Sequence, residues 1–316
     1  MRIYFTFFAI LLSAVSFSQD LQKANLPDTI LKTNRTLIMP DSLDAMAALR
    51  KLFPGKFYSL GDKKAKNELI SWECKSCAAT TYNDVNEIEG PQQFPYKEGV
   101  ATRLLSVINY TDAKGNRFKL VAFNHSVYDE DGLQTSRFSG GLVGVAKFSK
   151  FPGGWEMKSF EPAIAAYGAF SSAPSLKPLQ IGEDQYAFTL LHYNGGGGGP
   201  AYGTLYMIGG YDGRYRQLLD AYQYGLINNG DNGTHWSGTV SVKDVSKQFF
   251  RDISVTIKGT YVAPAAGEDN PIPSELKNMI AGRKKFDFTI ERTYVHKGSK
   301  GYVQSGEGKA VVSNVK

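Results

Sequence analysis

The sequence predicts a mainly β protein: an antiparallel sandwich, meander or barrel with one short N-terminal helix and one short C-terminal helix. Three observations predict it. From about residue 100, runs rich in β-branched and aromatic residues recur between turns containing Gly, Asn or Asp. Several runs alternate apolar and polar residues at period two, the pattern of a strand with one dry and one wet face. Helical patterns long enough to carry parallel crossovers are missing, which excludes βαβ units.

The chain has 316 residues and opens with Met1 and Arg2, an almost unbroken apolar run over 3–15, and then Ser16, Phe17 and Ser18. One charge, an apolar stretch and a small-x-small site predict a signal peptide over 1–18, cut after Ser18. The stretch is shorter than the roughly 20 residues of a membrane-spanning helix. No later segment is long and apolar enough for one. The expected location is therefore periplasmic or secreted. The expected organisation is a lead-in, helix and Cys-pair loop over 19–98, followed by an antiparallel β domain over 99–316.

Residues 19–40 contain Pro27 and Pro40 with little periodicity, and read as an extended lead-in. Asp41 or Ser42 can cap a helix. Leu43, Met46, Ala47, Leu49 and Phe53 supply its apolar stripe, and Pro54-Gly55 ends it. The turn Asp112-Ala113-Lys114-Gly115-Asn116 joins two β-rich runs into a hairpin. A second hairpin turns at Phe151-Pro152-Gly153-Gly154, and in its second arm Trp155 and Met157 alternate with Glu156 and Lys158. Tyr186, Phe188, Leu190 and His192 occupy one face of a strand, and Ala187, Thr189, Leu191 and Tyr193 the other. Apolar character on both faces predicts a central strand. The run Gly195-Gly196-Gly197-Gly198-Gly199-Pro200 then returns the chain into a strand over 202–208, and another follows the Tyr211-Asp212-Gly213 turn. Three late strands, around Trp236, Ile253 and Phe286, have one polar face each. Between the last two, Pro273-Ser274-Glu275-Leu276 starts a short helix that Gly282 can close.

The formal net charge is +6 from 36 Lys and Arg against 30 Asp and Glu. Arg2 lies in the predicted signal, and 275–316 holds nine Lys or Arg against four Asp or Glu, so the excess belongs to the C-terminal region. These charges are dispersed, as on a solvated strand pair. They give no reason to expect nucleic acid as a partner.

Cys74 and Cys77, in Trp72-Glu73-Cys74-Lys75-Ser76-Cys77, are the only cysteines. In an oxidising compartment they are expected to pair locally. A metal site would need two further ligands. A redox pair would need a helix start after Cys74, and Ala78-Ala79-Thr80-Thr81 is a poor one. The four histidines, His125, His192, His235 and His296, form no HExxH or other short-spaced metal pair. His192 reads as a hydrogen-bonded core residue. His235 and Trp236 can line a ligand cleft or simply begin a strand. With Tyr193 and Tyr202, beside the glycine run, they are the candidate ligand contacts.

Asp129 and Asp131, in an acidic turn, match half of a calcium loop without its closing Glu, and read better as a plain turn. The glycine run lacks the Gly-Lys-Ser/Thr of a phosphate cradle. Ser274 and Lys277 have SxxK spacing without its companion motifs, so Ser274 reads as a helix cap. No cofactor is expected. The expected function is a non-enzymatic exported protein that binds or scaffolds at the envelope, with a glycan or an envelope protein as partner. The alternatives are a secreted glycan hydrolase with two facing carboxyls, and a thiol-redox accessory protein using Cys74 and Cys77.

Overall fold

The protein is described by a computed structural model covering residues 21–61, 67–87, 89–127, 138–195, 199–227, 233–244, 248–264 and 272–316. The predicted signal, Asp129, Asp131 and the central glycines of the Gly run lie outside the described residues.

The first sheet draws on β1 (Ala24–Asn25), β2 (Ile38–Met39), β3 (Lys56–Leu60) and β4 (Asn67–Glu73). A small separate pair, β5 (Thr80–Tyr82) and β6 (Gln92–Phe94), follows. The long strands β7 (Val100–Thr111), β8 (Arg117–Ser126), β9 (Gly141–Phe151) and β10 (Gly154–Tyr167) complete it. Its order is β1-β4-β7-β8-β9-β10-β2, with β3 also on β4. The second sheet holds β11 (Lys177–Gln180), β12 (Tyr186–Gly195), β13 (Ala201–Tyr211), β14 (Arg214–Ile227), β15 (His235–Val242), β16 (Ile253–Val262) and β17 (Lys285–His296), then β18 (Tyr302–Gln304) and β19 (Lys309–Ser313). Strands β11 to β18 run in sequence order, and β19 pairs with β17. Both sheets are thus mainly meanders, as expected where short turns join neighbours. The ladders are antiparallel except the two-residue pairing of β1 with β4, which is parallel.

Three apolar clusters organise these sheets. In the first, α1 (Ala45–Leu52) and the N-terminal segment pack on one face of the first sheet, burying Leu49, Phe53, Trp72, Phe123 and Phe148. The second cluster fills the curl of the second sheet, with Trp236, Ile257, Phe286 and Phe288. The third glues the two sheets together. Leu120, Ala122, Val143 and Tyr167 from the first meet Phe188, Leu190, Tyr206 and Ile208 from the second. Both faces of β12 are accordingly dry, with Ala187 turned to the second cluster and Phe188 to the third.

Local chemistry sets the turns. In the β7–β8 hairpin the Asp112 carboxylate accepts from the Lys114 and Asn116 backbone N–H groups at 3.0 and 2.8 Å. The β13–β14 hairpin closes on two residues, Asp212 and Gly213, both at positive φ (51° and 76°). That is the mirror-image turn whose twist matches the strands, and it pairs Tyr211 directly with Arg214.

Four local expectations are corrected. Helix α1 is capped by Asp44, whose carboxylate accepts from the Ala47 N–H at 2.6 Å. Asp41 instead ion-pairs with Lys150, and Ser42 precedes the cap. The stripe runs through Ala45, Ala48, Leu49 and Leu52, leaving Ala47 exposed. The lead-in is not simply extended: Asp28–Leu31 form a 3-10 turn that buries Ile30. The late short helix is a 3-10 helix over Ser274–Met279, and Pro273, not Ser274, occupies its N-cap.

Candidate functional site

The sandwich leaves a cleft along its seam, about 500 Å³ in volume, lined by residues of both sheets. Tyr110, Phe118, Lys147 and Lys158 form the first sheet's wall. Tyr186, Tyr211, Tyr215 and Phe250 form the opposite wall. The aromatic rings touch in two groups. Tyr110 stacks on Phe118 with centroids 5.2 Å apart and meets Tyr186 at 4.6 Å. Within the opposite wall Tyr211 meets Phe250 at 6.2 Å and His296 at 5.4 Å. Phe249, 63% exposed, stands edge-on to Phe250 at the rim. A second hollow of about 590 Å³ shares Tyr211, Asp212, Arg214 and Tyr215 and adds Arg216 and Lys300, so the groove continues past the β13–β14 turn.

Charge in the cleft is arranged unevenly. Arg214 donates to both oxygens of Glu161, at 3.0 and 2.8 Å, and Glu161 holds the Arg214 guanidinium above its ordinary range. Lys158 ion-pairs with Glu156. Asp184 meets Lys114 at 3.1 Å and accepts from the Ala113 N–H at 3.2 Å. Lys147 differs. Its ammonium sits 4.2 Å above the Phe118 ring centroid and 6.0 Å from that of Tyr110. Among the described residues no carboxylate pairs with it and no acceptor hydrogen-bonds it. Burial lowers its pKa from the ordinary lysine value. Burial also pushes the Tyr215 phenol up to about 12 and raises Tyr110, so both hydroxyls stay protonated at neutral pH.

No protein-family model, curated protein or solved structure matches this chain. The site is therefore read from its own geometry.

The residues singled out from sequence fall in different places. Trp236 is buried, at 3% exposure, and donates its indole N–H to the Gln223 carbonyl at 2.9 Å. Its register neighbours are Leu226 on β14 and Gly259 on β16, and Gly259 in turn opposes Phe288. A Cβ at Gly259 would come within 2.8 Å of the Phe288 ring, so glycine is what lets Trp236 and Phe288 approach edge-on at 6.3 Å. His235 is exposed, and its Nδ1 lies 3.0 Å from the Gly233 carbonyl. It borders a shallow polar hollow with Thr260 and Asp287. Tyr193 lies across the strands over Gly203 and Gly225, where added Cβ atoms would meet its ring at 2.7 Å and its hydroxyl at 2.6 Å. Tyr202 is 40% exposed and pairs in register with Leu226, which itself pairs with Trp236. The ladder thus aligns Tyr202 and Trp236, whereas the seam cleft includes none of these four residues.

Cys74 and Cys77 form a disulfide with Cα atoms 5.3 Å apart. Both are buried in the first cluster, in a turn with no helix after it. This lacks the exposed thiol at a helix start that redox chemistry needs. His192 accepts from the Gly168 N–H at its Nδ1, 3.1 Å away, and is a core histidine. Ser274 donates to Glu275 at 3.2 Å. Among the described residues no group of three His, Cys, Asp or Glu side chains could hold a metal, and no helix is long and apolar enough to cross a membrane.

Sequence reasoning missed the seam cleft, whose walls come from residues scattered between 110 and 250. It also missed the buried Arg292–Glu275 pair, with Nε–Oε1 at 2.6 Å, both side chains under 10% exposed. Arg292 also donates to the Tyr222 carbonyl at 2.5 Å, and Trp236 to that of Gln223. Together they hold the β14 bulge in which Gln223 takes a φ of 55°.

Proposed function

We propose that the chain is an exported, non-enzymatic binding protein for oligosaccharides, and that the seam cleft is its binding site. One observation carries this reading: aromatic rings line both walls of a groove wide enough for a small ligand, with polar groups between them. Flat aromatic faces match the C–H faces of sugar rings. The Tyr211 hydroxyl, Gln185 and Ser159 supply hydrogen-bonding groups for their hydroxyls. The local disulfide supports the exported location, because such bonds persist in oxidising compartments.

A glycan hydrolase needs two available carboxyl groups about 5 to 10 Å apart. Asp184 is held by Lys114 and a backbone amide, and Glu161, in the adjoining hollow, is chelated by Arg214, which leaves Asp212 on the exposed β13–β14 turn as a single unengaged carboxyl among the described residues where two are needed. This favours binding over hydrolysis. The test is calorimetric titration with a panel of oligosaccharides on wild type, Tyr211→Ala and Phe118→Ala. The reading expects at least one ligand with affinity reduced tenfold or more in both variants, and no shortening of that ligand on prolonged incubation. Ligand cleavage, or binding indifferent to both substitutions, would overturn it.

A further inference from the structure

We infer that the saccharide bound in the seam cleft is acidic, and that Lys147 is the residue that meets its carboxylate. This rests on the oligosaccharide-binding reading and adds the charge of the ligand to it.

Lys147 lies on β9 between Leu120 of β8 and Ser159 of β10, in the middle of the first sheet, and is half-buried. Taking an ammonium out of water is unfavourable unless a partner compensates. Lys158 has Glu156, Arg214 has Glu161 and Lys114 has Asp184, while Arg216 and Lys300, which have no carboxylate partner among the described residues, are exposed to water. Lys147 has only the faces of Phe118 and Tyr110. A cation over an aromatic face is held by the ring's quadrupole, which fixes where the ammonium sits without neutralising it. Asp112 is the carboxylate whose charge acts on it, and its oxygens are occupied by Asn116 and the Lys114 N–H.

The ammonium therefore projects into the cleft from a preorganised seat, flanked by stacking surfaces. A ligand carboxylate reaching it would complete a charge-assisted hydrogen bond in a partly dry site, where such bonds are strong. A neutral sugar would leave the cation unpaired, and the difference gives selectivity for acid over neutral glycans. The continuation of the groove past Arg216 and Lys300 keeps the same sign.

The experiment titrates the full chain with short oligomers of galacturonate, guluronate and glucuronate. Each is paired with its carboxyl-reduced, neutral counterpart. The variants are Lys147→Met and Lys147→Arg, with thermal melting confirming that each folds. The expected result is binding of one acidic series at least tenfold tighter than its reduced partner, weakening with added salt. Lys147→Met abolishes that preference, and Lys147→Arg keeps most of it. If acidic and reduced forms bind alike, the charge inference fails while the cleft reading stands. The same holds if the preference survives in Lys147→Met. If no oligosaccharide of either kind binds, the oligosaccharide reading itself fails, and this inference with it.

Discussion

Arg214 and Glu161 join the two sheets by parallel hydrogen bonds, Nε to Oε2 at 3.0 Å and Nη2 to Oε1 at 2.8 Å. The two partners are unequally buried. The Glu161 side chain is 5% exposed and that of Arg214 is 68%. Removing the arginine strands a buried carboxylate, whereas removing the glutamate releases a cation into water. Arg214→Ala is therefore expected to cost more stability than Glu161→Gln, about 1–3 kcal/mol against less than 1. Denaturant midpoints of the two variants check the order, and equal or reversed losses would show that the pair does not hold the seam.

His125 is completely buried between Phe53, Trp72 and Phe123, and burial lowers its pKa to about 3. Its Nδ1 lies 2.7 Å from the Thr102 hydroxyl, which accepts from the Trp72 indole at 2.7 Å. An unfolded histidine titrates near 6.5. Between the two values the unfolded chain binds the extra proton, so stability must fall as the pH drops from about 6.5 towards 3, by up to about 1.4 kcal/mol per unit from this group. His125→Gln should flatten that part of the stability–pH curve relative to wild type. An unchanged slope between pH 6 and 4 would mean that His125 is not the group responsible.

How much of this was legible in the sequence depends on the range of the interaction. The β7–β8 hairpin was legible because Asp112 bonds to residues two and four positions away. The central character of β12 was legible because both of its faces are apolar in sequence. The cap of α1 was misplaced because Asp41, Ser42 and Asp44 are all good caps. The choice falls to Asp44 while Asp41 pairs with Lys150, over a hundred positions on. The bulge at Gln223 was illegible, since its left-handed backbone is imposed by Arg292 and Trp236 from other strands. The seam cleft was illegible for the same reason: Phe118, Lys147 and Tyr211 meet only once two sheets have packed.

The disulfide joins cysteines with a sequence separation of only 3. Chain-entropy reasoning gives such a short loop about 2 kcal/mol at most. Reduction is expected to lower the melting temperature by a few degrees and to leave ligand binding at the distant seam unchanged. A thermal melt and a titration with and without reductant decide it. Loss of binding on reduction alone would revive a functional role for Cys74 and Cys77.

Gly259 lies in register between Trp236 and Phe288, which meet edge-on. Gly259→Ala forces a methyl against Phe288 and the Trp236 side chain, an overpacking that costs about 1–3 kcal/mol. Trp236 fluorescence and the denaturant midpoint should shift together. A neutral substitution would mean that this contact is looser than the structure describes.

The central claim is that ligands enter the seam between the sheets, and hydrogen–deuterium exchange with and without a saturating acidic oligosaccharide tests it most directly. Protection is expected in the peptides carrying residues 110–118, 147–158 and 210–216, with the His235–Trp236 strand unchanged. Protection centred on His235 and Tyr202 instead, with the seam unaffected, would contradict the claim.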